Sequence, residues 1–135
     1  MMAFVPAIRT ILLVEDDPDI QAVAQLALEA VGGYSVVVCS SGNEALSVVA
    51  ELQPSVILLD VMMPGIDGPT TLQSLQESGT LGDTPVIFMT ARVQPQEIIE
   101  YRRLGAIDVI VKPFDPMSLA ATVAQIWERY HNERQ

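Results

Sequence analysis

The chain has 135 residues, 50% of them hydrophobic and 18% charged, with a formal net charge of −10. That length is one domain's worth with material for a sizeable core; the composition excludes a disordered tail, and the acidic surplus argues against nucleic acid or an anionic membrane as the main partner. A single cysteine, Cys39, makes no internal disulfide, residues 1–10 lack a signal-peptide pattern, and no apolar run approaches membrane-spanning length, so the expected location is cytoplasmic.

Ile11-Leu12-Leu13-Val14 is a short apolar run that ends in acid, Glu15-Asp16-Asp17-Pro18-Asp19. Asp17 suits an N-cap and Pro18 the first helical position. The helix that follows carries Ile20, Val23, Ala24, Ala27, Leu28 and Val31 at helical spacing and stops at Gly32-Gly33. Capping and the helix dipole account for Asp17 and Asp19. Glu15 and Asp16 precede the cap and have no such explanation.

Tyr34 to Cys39 reads as the next strand, and Asn43 to Leu52 as a helix with Ala45, Leu46, Val49 and Ala50 on one stripe, closed by Pro54. Val56-Ile57-Leu58-Leu59 reads as a strand buried on both faces. It ends on Asp60, and the chain turns through Pro64 and Gly65 into a weaker helix whose apolar side includes Leu72 and Leu75. Asp60 at this point is either a residue that ends a strand or a carboxylate placed where open α/β sheets bind ligands.

Val86 to Met89 is a fourth strand, ending in Thr90-Ala91, and a helix is expected from Pro95 to Leu104 with Gly105 as its C-cap. Ile107 to Val111 is the fifth strand and ends in Lys112-Pro113-Phe114. Asp115-Pro116 resembles the cap-plus-proline device of Asp17-Pro18. The last helix places Leu119, Val123, Ile126, Trp127 and Tyr130 on one face, with His131 to Gln135 expected to fray into solvent.

Five strand–helix alternations predict a doubly wound α/β fold, a parallel sheet with helices on both faces. In such a sheet the strand ends share one edge. Glu15, Asp16, Asp60, Thr90 and Lys112 therefore converge there. Three carboxylates at close range repel, at about 4 kcal/mol per pair at 4 Å with an effective dielectric near 20. Lys112 supplies one compensating charge. Protonation or a cation must supply the rest, and an all-oxygen donor set favours a hard ion such as Mg²⁺. Such an edge, with a hydroxyl and an ammonium beside it, is equipped to hold a phosphoryl group.

ILLVEDDPD, ILLDVMMPGIDG, VIFMTA and VIVKPF, in that order, resemble the signature segments of response-regulator receiver domains, and the resemblance runs from about Arg9 to Tyr130. It implies a flavodoxin-like five-stranded sheet in order 2-1-3-4-5, with residues 9–131 as the receiver and 1–8 and 132–135 as short tails. It implies Asp60 as the phosphoacceptor for a sensor histidine kinase or a histidine phosphotransfer protein. Glu15, Asp16, Asp60 and the Met62 backbone carbonyl would hold Mg²⁺, while Thr90 and Lys112 would contact the phosphoryl group. Lys112-Pro113 becomes a candidate cis bond. The implied product is a phosphorylation-dependent switch rather than an enzyme. It would act on a downstream effector protein, as a monomer or a phosphorylation-dependent dimer.

Val109 departs from the family pattern, which usually has Tyr or Phe three residues before the lysine. Met62 and Arg92 occupy variable positions that influence phosphate lifetime in the family. The leading expectation is a switch with no effector domain of its own; the alternative is a receiver excised from a longer regulator or hybrid kinase. A phosphohydrolase with an aspartate nucleophile commonly has a second Asp two residues on, where this chain has Met62; a receiver-like module working without phosphate sits poorly with the intact acids. Cys39 and Trp127 read as core residues, Arg102-Arg103 as a solvated helix face, and His131 as solvated.

Overall fold

A computed structural model describes residues 4–134. The strands are β1 (Thr10–Val14), β2 (Ser35–Cys39), β3 (Val56–Asp60), β4 (Val86–Thr90) and β5 (Asp108–Val111). They alternate with helices α1 (Pro18–Leu26), α2 (Gly42–Leu52), α3 (Gly68–Ser78), α4 (Pro95–Leu104) and α5 (Leu119–Glu133). The strands form one parallel sheet in the order β2-β1-β3-β4-β5, the expected flavodoxin-like arrangement.

Strand side chains alternate between two faces, and the core divides accordingly. Ile11, Leu13, Leu58 and Met89 pack with Ala24 and Leu28 on the α1 side and with Val123 and Trp127 of α5. Leu12, Ile57, Leu59 and Phe88 pack with Val49 of α2 and with Leu72 and Leu75 of α3. β3 is buried at every position, which is why its sequence shows no polar alternation. α4 buries no residue fully and is the helix least held by the core.

The helix ends follow the sequence closely. Asp17 accepts from the Asp19 and Ile20 N–H groups with Pro18 inside the first turn. Asp67 caps α3, and Gly105 closes α4 at φ 118°, a conformation that favours glycine. The Lys112-Pro113 bond is cis.

Four local expectations need correction. The helix after Pro18 widens into a π turn over Ala27–Val31. The wider turn shifts the phase of the stripe beyond it, so Val31 is exposed while Ala27 and Leu28 stay buried; Val23, before the turn, is exposed as well. Ala50, expected on the α2 stripe, is also exposed; α2 buries Gly42, Ala45 and Val49 instead. Asp115 caps a turn and not the helix: its side chain accepts from the Met117 N–H, its carbonyl from Ser118 and Leu119, and α5 starts at Leu119.

The fourth correction concerns His131. α5 continues through Glu133, which places His131 one turn beyond Trp127, with ring centroids 4.2 Å apart. Its Nε2 is buried and finds no hydrogen-bond partner among the described residues. Burial, and then the nearby Arg134 charge, lower its pKa. Gln135 lies outside the described residues. Before β1, Val5 and Ile8 lie against the core, and the Pro6 carbonyl accepts from Trp127 Nε1 at 2.7 Å.

Candidate functional site

The sheet register sets the site. Val14 pairs with Cys39 and Leu59, Asp60 with Met89, and Thr90 with Val111. The carboxyl ends of β1, β3, β4 and β5 thus finish within a residue or two of one another. Behind Asp60 the backbone folds back tightly: Gly68 N–H donates to the Val61 carbonyl at 2.9 Å. A Cβ on Gly68 would stand 2.5 Å from the Asp60 carbonyl oxygen, so a larger residue would displace the end of the strand that carries Asp60.

The structure brings Glu15, Asp16, Asp60 and Lys112 together. One oxygen from each acid lies within 4.8 Å of the others. Glu15 and Asp60 are 1% and 2% exposed. Lys112 Nζ donates to Glu15 Oε1 at 2.9 Å and to Asp60 Oδ1 at 3.0 Å. Asp60 Oδ1 also accepts from the Met62 N–H at 3.4 Å, while Oδ2 accepts no hydrogen bond among the described residues. The Met62 side chain points away and is exposed.

Thr90 reaches the same edge but turns to its own loop. Its hydroxyl donates to the Arg92 carbonyl at 3.2 Å and makes no hydrogen bond to the acids. The sequence did not suggest this Thr90–Arg92 contact. Nor did it suggest the Asp17 N–H that donates to Glu15 Oε2 at 3.1 Å, or Gln21, whose amide reaches the Glu15 carbonyl. Each contact depends on how a loop folds back.

Burial pushes the Glu15 carboxyl above its ordinary range, further than its bonds from Lys112 and the Asp17 N–H pull it down, and the Asp60 charge adds to the rise. Burial works against the Lys112 ammonium too. Its hydrogen bonds to Glu15 and Asp60, and the charges of both, outweigh that and raise its pKa. The donors here are oxygens from two strand ends. Cys39 ends the neighbouring strand β2, but burial and then the Glu44 charge hold its thiol near pKa 11, so it stays protonated. The set fits a hard divalent cation such as Mg²⁺ and offers nothing to a soft one.

A mostly apolar cleft of about 490 Å³ opens beside Lys112, between Ile20 and Val23 of α1 and Pro113 and Phe114 after β5.

The response regulator receiver domain profile matches residues 11–124. The chain belongs to that family. Among curated relatives, this receiver is 37% identical over 119 residues to "Probable transcriptional regulator ycf27" of Pyropia yezoensis, covering 88% of the chain and 47% of the relative. It is 36% identical to "DNA-binding dual master transcriptional regulator RpaA" of Synechocystis sp., covering 88% of the chain and 49% of the relative. The chain thus spans about half the length of these relatives. Among solved structures, Vibrio cholerae chemotaxis protein CheY4 superposes with a TM-score of 0.81 at 28% identity, over 89% of this chain and 99% of that one. A beryllofluoride-activated DrrB receiver domain superposes at 0.75 and 28% identity, over 91% of this chain and 100% of that one. No helix among the described residues is long and apolar enough to cross a membrane.

Proposed function

We propose that this receiver, residues 9–131, accepts a phosphoryl group on Asp60 from a sensor histidine kinase or a histidine phosphotransfer protein. The observation that carries the reading is the Lys112 ammonium lodged between Asp60 and Glu15, with Asp16 completing the acidic cluster. Glu15, Asp16, Asp60 and the Met62 carbonyl would hold Mg²⁺, which would supply positive charge to the phosphoryl oxygens. The Asp60 carboxylate attacks phosphorus; the phosphorus–nitrogen bond of the donor breaks, and the imidazole nitrogen keeps the electron pair and takes a proton from solvent. Lys112 faces the phosphoryl oxygens with a positive charge in a largely buried setting. Thr90 exchanges its bond to the Arg92 carbonyl for one to the phosphoryl group. The loop before α4 then shifts, and the binding surface for a downstream effector changes.

The reading makes the chain a signalling switch that catalyses only its own phosphorylation and dephosphorylation, cytoplasmic, monomeric or dimerising on phosphorylation. The donor protein must cover the rim of the site to deliver its histidine. The apolar cleft lined by Ile20, Val23 and Phe114 gives that rim a surface on which a donor helix can rest. A second reading rests on coverage: since the chain spans about half of relatives such as RpaA, it is the receiver portion of a longer regulator whose output lies in cis. Both share the same chemistry. Incubation with acetyl phosphate, followed by intact-mass measurement, tests it: one phosphoryl group is added with Mg²⁺ and none with EDTA. Equal incorporation in both tubes overturns the metal assignment.

A further inference from the structure

We infer that Gln21 is a positioning residue for the metal site, acting through the peptide that carries Asp16. The inference rests on the Mg²⁺ reading above. Of the three acids, Glu15 is held by Lys112 and the Asp17 N–H, and Asp60 by Lys112 and the Met62 N–H. The half-buried Asp16 carboxylate takes no hydrogen bond or ion pair among the described residues. Its direction is therefore set by its backbone. The Glu15 N–H is tied to the Cys39 carbonyl at 3.0 Å, which fixes the peptide entering Glu15. The peptide leaving it, a rigid plane joined to the Asp16 Cα, is tied by the Gln21 side chain, whose Nε2 donates to the Glu15 carbonyl.

The Gln21 amide is itself held from the far side. Nε2 also contacts Ser40 Oγ at 3.1 Å, and the Ser40 N–H donates to Glu44 Oε2 at 2.6 Å. The chain from α2 through the β2–α2 loop to α1 thus ends on the one peptide that aims Asp16. Groups that orient a ligand without touching the ion commonly change metal affinity about tenfold or more when removed. Gln21 has that relation to Asp16.

Gln21→Met keeps length and volume and removes both donors. Calorimetric titration with Mg²⁺ alone should show about tenfold weaker binding than wild type. Phosphorylation by acetyl phosphate should need more Mg²⁺ by the same factor, yet reach the wild-type rate at saturating Mg²⁺. Ser40→Ala leaves the donors and removes their outer anchor, and should shift affinity in the same direction by a smaller factor; it carries the test alone should Gln21→Met not fold. Mg²⁺ affinity in both variants within twofold of wild type overturns the inference. So does a fall in the saturated rate equal to the fall in affinity, which marks general loosening of the site. Absence of Mg²⁺ binding in the wild type itself would bring down the metal reading, and this inference with it.

Discussion

Lys112 and Glu15, 97 residues apart, meet as a buried ion pair with 2.9 Å between Nζ and Oε1. The pair does not fully compensate Glu15, whose folded pKa lies above the ordinary value of 4.5 because burial outweighs its bonds. The folded state therefore holds this proton more tightly than the unfolded state. Glu15 contributes stability that is fully present below pH 4.5 and is lost as pH rises through its raised folded value.

Glu15→Gln should accordingly make the metal-free protein more stable at neutral pH. The difference from wild type should shrink as pH falls toward 4.5. Urea midpoints at a series of pH values, in EDTA, measure it. Equal midpoints at neutral pH would show that Lys112 compensates Glu15 completely. Mg²⁺ should stabilise the wild type and leave Glu15→Gln less affected.

Val109 lies in the same layer as Phe88, with which it pairs, and Tyr101 of α4 stands edge-on to Phe88 at 5.0 Å and 83°. The rings on this face thus come from Phe88 of β4 and Tyr101 of α4. Tyr101→Leu should cost about 1 kcal/mol, the usual value of an aromatic pair beyond its buried area, lowering the thermal midpoint by about 4 °C. Amide exchange in Pro95–Leu104 should rise more than in α5. No change in α4 exchange would mean that Tyr101 does not anchor the helix.

The same packing bears on signalling. Valine is β-branched and fixed at χ1, so Val109 has no ring to swing inward. With beryllofluoride as phosphoryl mimic, amide shifts should change from Thr90 through Leu104 while the Val109 methyls keep one rotamer. Changes confined to the loops around Asp16 and Asp60 would refute this route to α4.

Trp127→Phe removes the Nε1–H that the Pro6 carbonyl accepts and should cost about 1 kcal/mol. The backbone around Pro6 should then be cut faster by proteases than in wild type, with cleavage elsewhere unchanged. Equal cutting would show that Val5 and Ile8 alone hold the segment.

What the sequence revealed and what it hid divide along physical lines. Strand runs such as Val56–Leu59, caps such as Asp17-Pro18, and the stop at Gly105 are local, so periodicity and turn chemistry exposed them. Convergence of Glu15, Asp16, Asp60 and Lys112 followed from topology, since parallel strands must end on one edge. The π turn after Leu26 and the burial of His131 were hidden: the first lies where Ala120 of α5 closes on Gly32, and the second follows from α5 running on to Glu133, which sets the His131 ring against Trp127 one turn back. Gln21 was hidden too. Its partner is a loop carbonyl, and no side-chain pattern marks a carbonyl.

The central claim is that Asp60 is the nucleophile and Asp17 only a cap. Asp60→Asn keeps the size and most hydrogen bonding but loses the charged oxygen; Asp17→Asn keeps capping ability, and the backbone N–H that holds Glu15 is untouched. Both variants, with wild type, are incubated with acetyl phosphate and Mg²⁺ and weighed intact. Wild type and Asp17→Asn should each gain one phosphoryl group, and Asp60→Asn should gain none while its circular dichroism stays native. Labelling of Asp60→Asn, or its loss in Asp17→Asn alone, would contradict the account.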